Sequence, residues 1–188
     1  MMNRNVSLLI SCVLLVGCAG YSEYGKNFDN AISKTLRHEG GYVNDSDDHG
    51  GETKYGISKR AHPDVDIKNL TVDQAKGIYY KEYWKILDLD DVSNSDIASK
   101  IFDICVNFGE EQAKEIVKRA LQSVYGKRSL FDKRDDWKFA ISLINDVSND
   151  EAFLVAIRSE QAAVYRMIVQ KDETQNKFLN IWLNRAYK

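Results

Sequence analysis

Between His38 and Ser58 the sequence reads HEGGYVNDSDDHGGETKYGIS, with two Gly-Gly pairs, several carboxylates and few apolar residues. Cleavage of a glycosidic bond commonly uses two carboxyl groups in different environments. One stays protonated to donate to the leaving oxygen, and burial or the negative end of a helix favours that state. Glu39 suits this role because a helix is expected to end there. Asp48, nine residues on in a more solvated loop, would stay ionised and orient water or stabilise the sugar cation. Thr53 would hold the water by a hydrogen bond, and the glycines permit a turn that returns the loop over the helix end. Two other readings suit the same stretch. One is a plain solvated loop. The other is a cation site, since NDSDDHGGE is rich in oxygen ligands, although it lacks the twelve-residue order of an EF-hand. The residues by themselves leave all three open.

The elements that must position these groups are helical. Phe28, Ala31, Ile32, Thr35 and Leu36 share one face of a helix that should end near Glu39, where Gly40-Gly41 supply a stop. Residues 40–57 show no helical period and read as a loop or small irregular hairpin. Thr71-Val72-Asp73-Gln74 is a capping-box pattern that opens a helix to about Leu87. Further helices are expected at about 95–108, 111–125, 137–146, 150–170 and 173–187, with a polar loop at 127–137. Pro63 is the only proline, so little in the chain breaks helices. The expected class is mainly α, with any sheet confined to residues 40–57.

Residues 1–20 are a different kind of segment. Arg4 precedes an apolar run from Val6 to Val16 that is short for a membrane span and has the proportions of a signal peptide. Leu15 to Cys18, LVGC, resembles a bacterial lipobox. That resemblance implies a signal peptide over 1–17, a lipid on Cys18 that anchors the chain to a membrane facing the periplasm or wall, and a tether over 18–27. A signal-arrest-release anchor and a plain cleaved signal peptide are the alternatives. Each of the three exports the remainder. Cys12 would be lost and Cys18 lipidated, leaving Cys105 in an apolar helical pattern, where it reads as a small buried hydrophobe rather than a catalytic thiol.

The motifs also carry a family resemblance. EGGYVND followed by GGETKYGIS resembles the signature of glycoside hydrolase family 108, the bacterial and phage N-acetylmuramidases. TVDQAKGIYYKEYWKIL at 71–87 and FDICVNFG at 102–109 look like later blocks of that family. The stretch from 110 to the end, closing with FLNIWLNRA, resembles the peptidoglycan-binding segment that often follows. The resemblance implies a lysozyme-like fold, a catalytic domain over 28–109 and a helical binding domain over 110–188. It implies hydrolysis of the β-1,4 bond between N-acetylmuramic acid and N-acetylglucosamine, with Glu39, Asp48 and Thr53 as the catalytic set. Ser46 and His49 stand where the family often has proline, and the spacing to Thr53 is one residue shorter than in phage lysozymes. Both departures leave the choice among Asp45, Asp47 and Asp48 open. A non-catalytic peptidoglycan-binding lipoprotein that keeps the fold is the reading from another class.

Other residues suit plainer roles as well as functional ones. Tyr42 and Tyr55 flank the carboxylate loop and suit either sugar stacking or loop packing. Asp103 and Asn107 lie one turn apart on an otherwise apolar helix and suit either a cleft floor or the surface. Tyr83 and Trp84 read as core. His38 reads as a cation at a helix end. The three histidines, at 38, 49 and 62, are spread out and no thiolate pair accompanies them, so no zinc site is expected, and the family resemblance implies no metal or cofactor. A formal net charge of −2 argues against a nucleic-acid partner. The expected partner is the peptidoglycan glycan strand, with the chain acting as a monomer.

Overall fold

The computed structural model describes residues 24–38, 41–44, 51–127, 130–131 and 136–188. Glu39, Asp45, Asp47, Asp48, His49 and Cys18 lie outside them. The architecture is mainly α and lysozyme-like, as the periodicity and the motifs imply. Its helices are α1 (Lys26–His38), α2 (Val72–Tyr79), α3 (Ser95–Phe108), α4 (Glu110–Val124), α5 (Trp137–Asn145), α6 (Asp150–Lys171) and α7 (Leu179–Tyr187). The small sheet pairs β1 (Thr53–Lys54) with β2 (Ile57–Ser58), antiparallel, with Thr53 opposite Ser58.

Local chemistry sets most of the boundaries. Thr71 accepts from the Gln74 amide at 3.2 Å, and the Gln74 side chain accepts from the Thr71 amide at 2.9 Å, which completes the capping box. Asn94 caps α3 through the amides of Asp96 and Ile97. Gly109, at φ +81°, ends α3 and starts α4, a conformation in which a Cβ would be strained. Two helices depart from the expected regularity. The 71–87 helix passes from α to a π turn at Tyr80–Trp84 and then to a 3₁₀ turn at Lys85–Leu87. The extra residue in the π turn rotates the helix so that Trp84 is fully buried and its indole N–H donates to Asp90 Oδ1 at 2.8 Å. The expected 173–187 helix begins as a 3₁₀ segment, Glu173–Phe178, capped by Asp172, before α7.

One continuous apolar core runs from Phe28 and Ile32 on α1, through Phe102 on α3 and Ile116 on α4, to Ile144 on α5 and Phe153 on α6. Phe28 sits edge-on to Tyr80, Trp84 and Phe102. A smaller cluster of Ala162, Tyr165 and Ala186 joins α6 to α7, where Tyr165 stacks on Trp182. Cys105 is buried, and burial pushes its thiol up to about 12, so it is inert at neutral pH, as its place in the apolar stripe implied. Among the described residues no helix is long and apolar enough to cross a membrane.

Candidate active site

The described part of the carboxylate stretch is a braced hairpin. Val43 and Thr53 exchange both backbone hydrogen bonds at 2.8 Å, so the two ends of the intervening segment are held together. β1 then turns back into β2 through Tyr55 and Gly56, at φ 53° and 76°. Positive φ at both central residues is what a two-residue type I′ hairpin needs, and it is uncommon for a tyrosine. The carbonyl of Tyr55 is fixed by the Tyr79 hydroxyl of α2 at 3.1 Å. Lys54 reaches the Lys68 carbonyl at 3.0 Å and Lys59 the Val65 carbonyl at 2.9 Å. Ile57, Ile67 and Leu70 anchor the hairpin and the following segment in the core. The turn is therefore held from several sides, as a backbone in a rare conformation requires.

Three of the residues singled out in the sequence come together on this hairpin. Thr53 is half-buried on β1, and its hydroxyl donates to the Gly51 carbonyl at 3.2 Å. That bond uses the hydroxyl hydrogen and leaves the oxygen lone pairs to accept from water. Tyr42 is exposed and donates to Glu52 Oε1 at 2.7 Å, which raises the phenol above its ordinary range. Glu52 is thus a positioned carboxylate beside Thr53 that sequence reasoning did not select. Its place directly before the motif threonine was the available signal. Tyr55 sits at the tip of the turn, with the Lys54 ammonium 5.5 Å from its ring centre.

Asn107 is placed elsewhere, on α3. It is exposed and its amide donates to the carbonyl and the carboxylate of Asp103. Asp103 in turn accepts from Arg185 Nη2 of α7 at 2.9 Å and faces Lys100 at 3.9 Å. Asp103 lines a groove of about 950 Å³ between α1, α3, α6 and α7, and Asn107 is not part of its lining. Lys100, on the same wall, is 8 % exposed and donates to the Arg185 carbonyl at 3.2 Å. Burial lowers its pKa to about 8 against the pull of Asp103, and the nearby Arg158 and Arg185 lower it further. None of the groove's basic residues was singled out in the sequence, although Lys100 interrupts the apolar stripe of α3.

Residues 32–109 match the profile of the family Glycosyl hydrolase 108. Over that span the chain is similar to a glycosyl hydrolase 108 domain. It is a glycoside hydrolase, and the substrate that goes with the family is peptidoglycan. The matched span begins in α1, encloses the whole hairpin region and ends at the α3–α4 junction. The fold is also similar to a solved structure of Brucella abortus SagA, with a TM-score of 0.57 and 20% identity, over 85% of this chain and 92% of that one. At that identity the likeness concerns the fold. No curated protein sequence matches the chain.

Proposed function

We propose that this peptidoglycan hydrolase is an N-acetylmuramidase that cleaves the β-1,4 bond between N-acetylmuramic acid and N-acetylglucosamine, with Glu39 as general acid. The carrying observation is the family match over 32–109, which encloses Glu39, Asp48 and Thr53 in the order the motif requires. Physical chemistry supports the assignment. α1 ends at His38, so Glu39 follows directly on the C-terminal end of a helix. The unpaired carbonyls there carry partial negative charge and favour a protonated carboxyl. In this reading Glu39 gives its proton to the glycosidic oxygen as the bond to C1 breaks. Asp48, ionised, stabilises the positive charge that develops on the ring or orients the attacking water. Thr53, its own hydrogen committed to Gly51, accepts a hydrogen bond from that water. No step calls on a metal, and activity should survive a chelator.

Glu39→Gln keeps size and removes the donor. General acid catalysis contributes about 10²–10⁴-fold, so release of muropeptides from purified wall should fall by that range with an unchanged melting temperature. A folded variant with near-normal release would refute the role.

The same proposal places the enzyme outside the cytoplasm, with the lipid on Cys18 as its anchor. The support is LVGC at the end of a short apolar run, followed by Ala19 and Gly20. Several acyl chains hold a protein firmly, at about 0.8 kcal/mol per buried CH₂. Mass spectrometry of protein extracted from membranes should find Cys18 acylated at the mature N-terminus. An intact N-terminus with unmodified Cys18 would put the signal-arrest-release anchor in its place.

A further inference from the structure

The groove between α1, α3, α6 and α7 has features of a binding site rather than of a gap between helices. Its volume, about 950 Å³, lies in the range of small-ligand and short-peptide sites. Ser99 and Lys100 form its inner wall on α3, each 8 % exposed. The Ser99 hydroxyl is buried and has no hydrogen-bond partner among the described residues, and the same holds for Nε of Arg158 on the opposite wall. Arg158 pairs through Nη1 with an exposed carboxylate, Glu151, at 3.3 Å. Asp103 is engaged by Arg185. Among the described residues the groove lining carries five Lys and Arg side chains against three acids, and Asp103 is already paired with Arg185 and Lys100. Leu154 and Ile181 supply apolar wall beside them.

We propose that this groove binds the carboxylate-bearing peptide stem of peptidoglycan. The inference rests on the muramidase reading. In that substrate the sugars of the strand carry little charge, and the carboxylates sit on the short peptide that hangs from muramic acid. Small side chains such as alanine methyls suit the Leu154 and Ile181 wall, which a purely ionic phosphate polymer would not use. Position agrees with chemistry. Ala31, Lys34 and Thr35 of α1 line the groove, and at 1.5 Å per residue Thr35 lies roughly 5 Å along the axis from the end of α1 at His38. The muramic acid that bears the stem is one partner of the bond to be cleaved, so a stem in the groove and a scissile bond beyond the end of α1 are within one short peptide of each other.

Calorimetric titration of the full wild-type chain with the free stem tetrapeptide, which has no glycosidic bond to cleave, tests the proposal apart from catalysis. Amidating the peptide carboxyls should weaken binding at least tenfold. Arg158→Gln, at a partly buried position, should weaken it to a similar extent with an unchanged melting temperature. Absence of binding, equal affinity for the amidated peptide, or undiminished affinity in a folded Arg158→Gln chain would each overturn the proposal. So would tighter binding of a glycerol phosphate oligomer, which would assign the groove to a phosphate polymer. Turnover by Glu39→Gln would refute the catalytic assignment and leave the titration result to be read independently.

Discussion

Thr53 shows how a residue can be legible as chemistry before its geometry is known. Its spacing after Asp48 and its place in the family-like motif marked it, and the structure adds a reason for its role: the hydroxyl hydrogen goes to Gly51, so the oxygen is free to accept. Thr53→Val preserves shape and removes the acceptor. It should lower kcat by about ten- to a hundredfold, the worth of one well-placed hydrogen bond at roughly 1.5–3 kcal/mol, with little change in KM. Thr53→Ser should restore most of the rate. Equal rates for valine and serine variants would mean that the hydroxyl is idle. Glu52 and Tyr42 were harder to read. Glu52 is one more acid in an acidic stretch, and only the hairpin register brings the Tyr42 hydroxyl onto it. The groove donors were beyond reach for the same reason. Lys100 and Arg185 meet across 85 residues of sequence, and no local spacing encodes that meeting.

At the scale of elements, period and caps carried most of the information. The apolar stripe of α3, the Thr71–Gln74 box and the stop at Gly109 are local signals, and each corresponds to a boundary in the structure. The π turn at Tyr80–Trp84 is not local. It exists because Trp84 reaches a fully buried place while its N–H finds Asp90. Asp90 also accepts from the Tyr80 hydroxyl at 2.8 Å and from Lys85 at 3.4 Å. Burial works to raise the Asp90 carboxyl, but these donors outweigh it and hold it below the usual carboxylate range. The sign of the consequence follows. A depressed carboxyl pKa contributes stability that is present above the unfolded value, about 3.9, and is lost as pH falls through the folded value. Asp90→Asn should therefore lower stability at pH 7 and flatten the acid limb of the pH–stability curve below about pH 4. Urea midpoints measured from pH 2 to pH 7 check this. Parallel acid limbs for the two proteins would mean that Asp90 does not hold the turn.

At the scale of the whole molecule, the family match ends at residue 109 but the core does not. Ile116 and Val117 of α4, Ile144 of α5 and Phe153 of α6 are buried in the same cluster as Phe28 and Phe102. Polar ties cross the same point. The Trp137 indole donates to the Leu87 carbonyl at 2.8 Å. Asn145 donates to the Asp91 carbonyl at 2.7 Å and accepts from the Ser93 amide at 2.9 Å. Each large apolar side chain uncovered costs about 1.5–3 kcal/mol, against a total stability of roughly 5–15 kcal/mol. Losing the cover that α4, α5 and α6 give to the rest of the core is comparable to that whole margin. A fragment ending at residue 109 should be unfolded, without a cooperative melt, and inactive on wall. The full chain should lose far-ultraviolet ellipticity and tryptophan fluorescence in one coincident transition. Two separated transitions, or a folded fragment that still cleaves, would show that residues 28–109 stand alone. A single transition would mean that the helices after residue 109 are a structural part of the catalytic unit, as well as one wall of its groove.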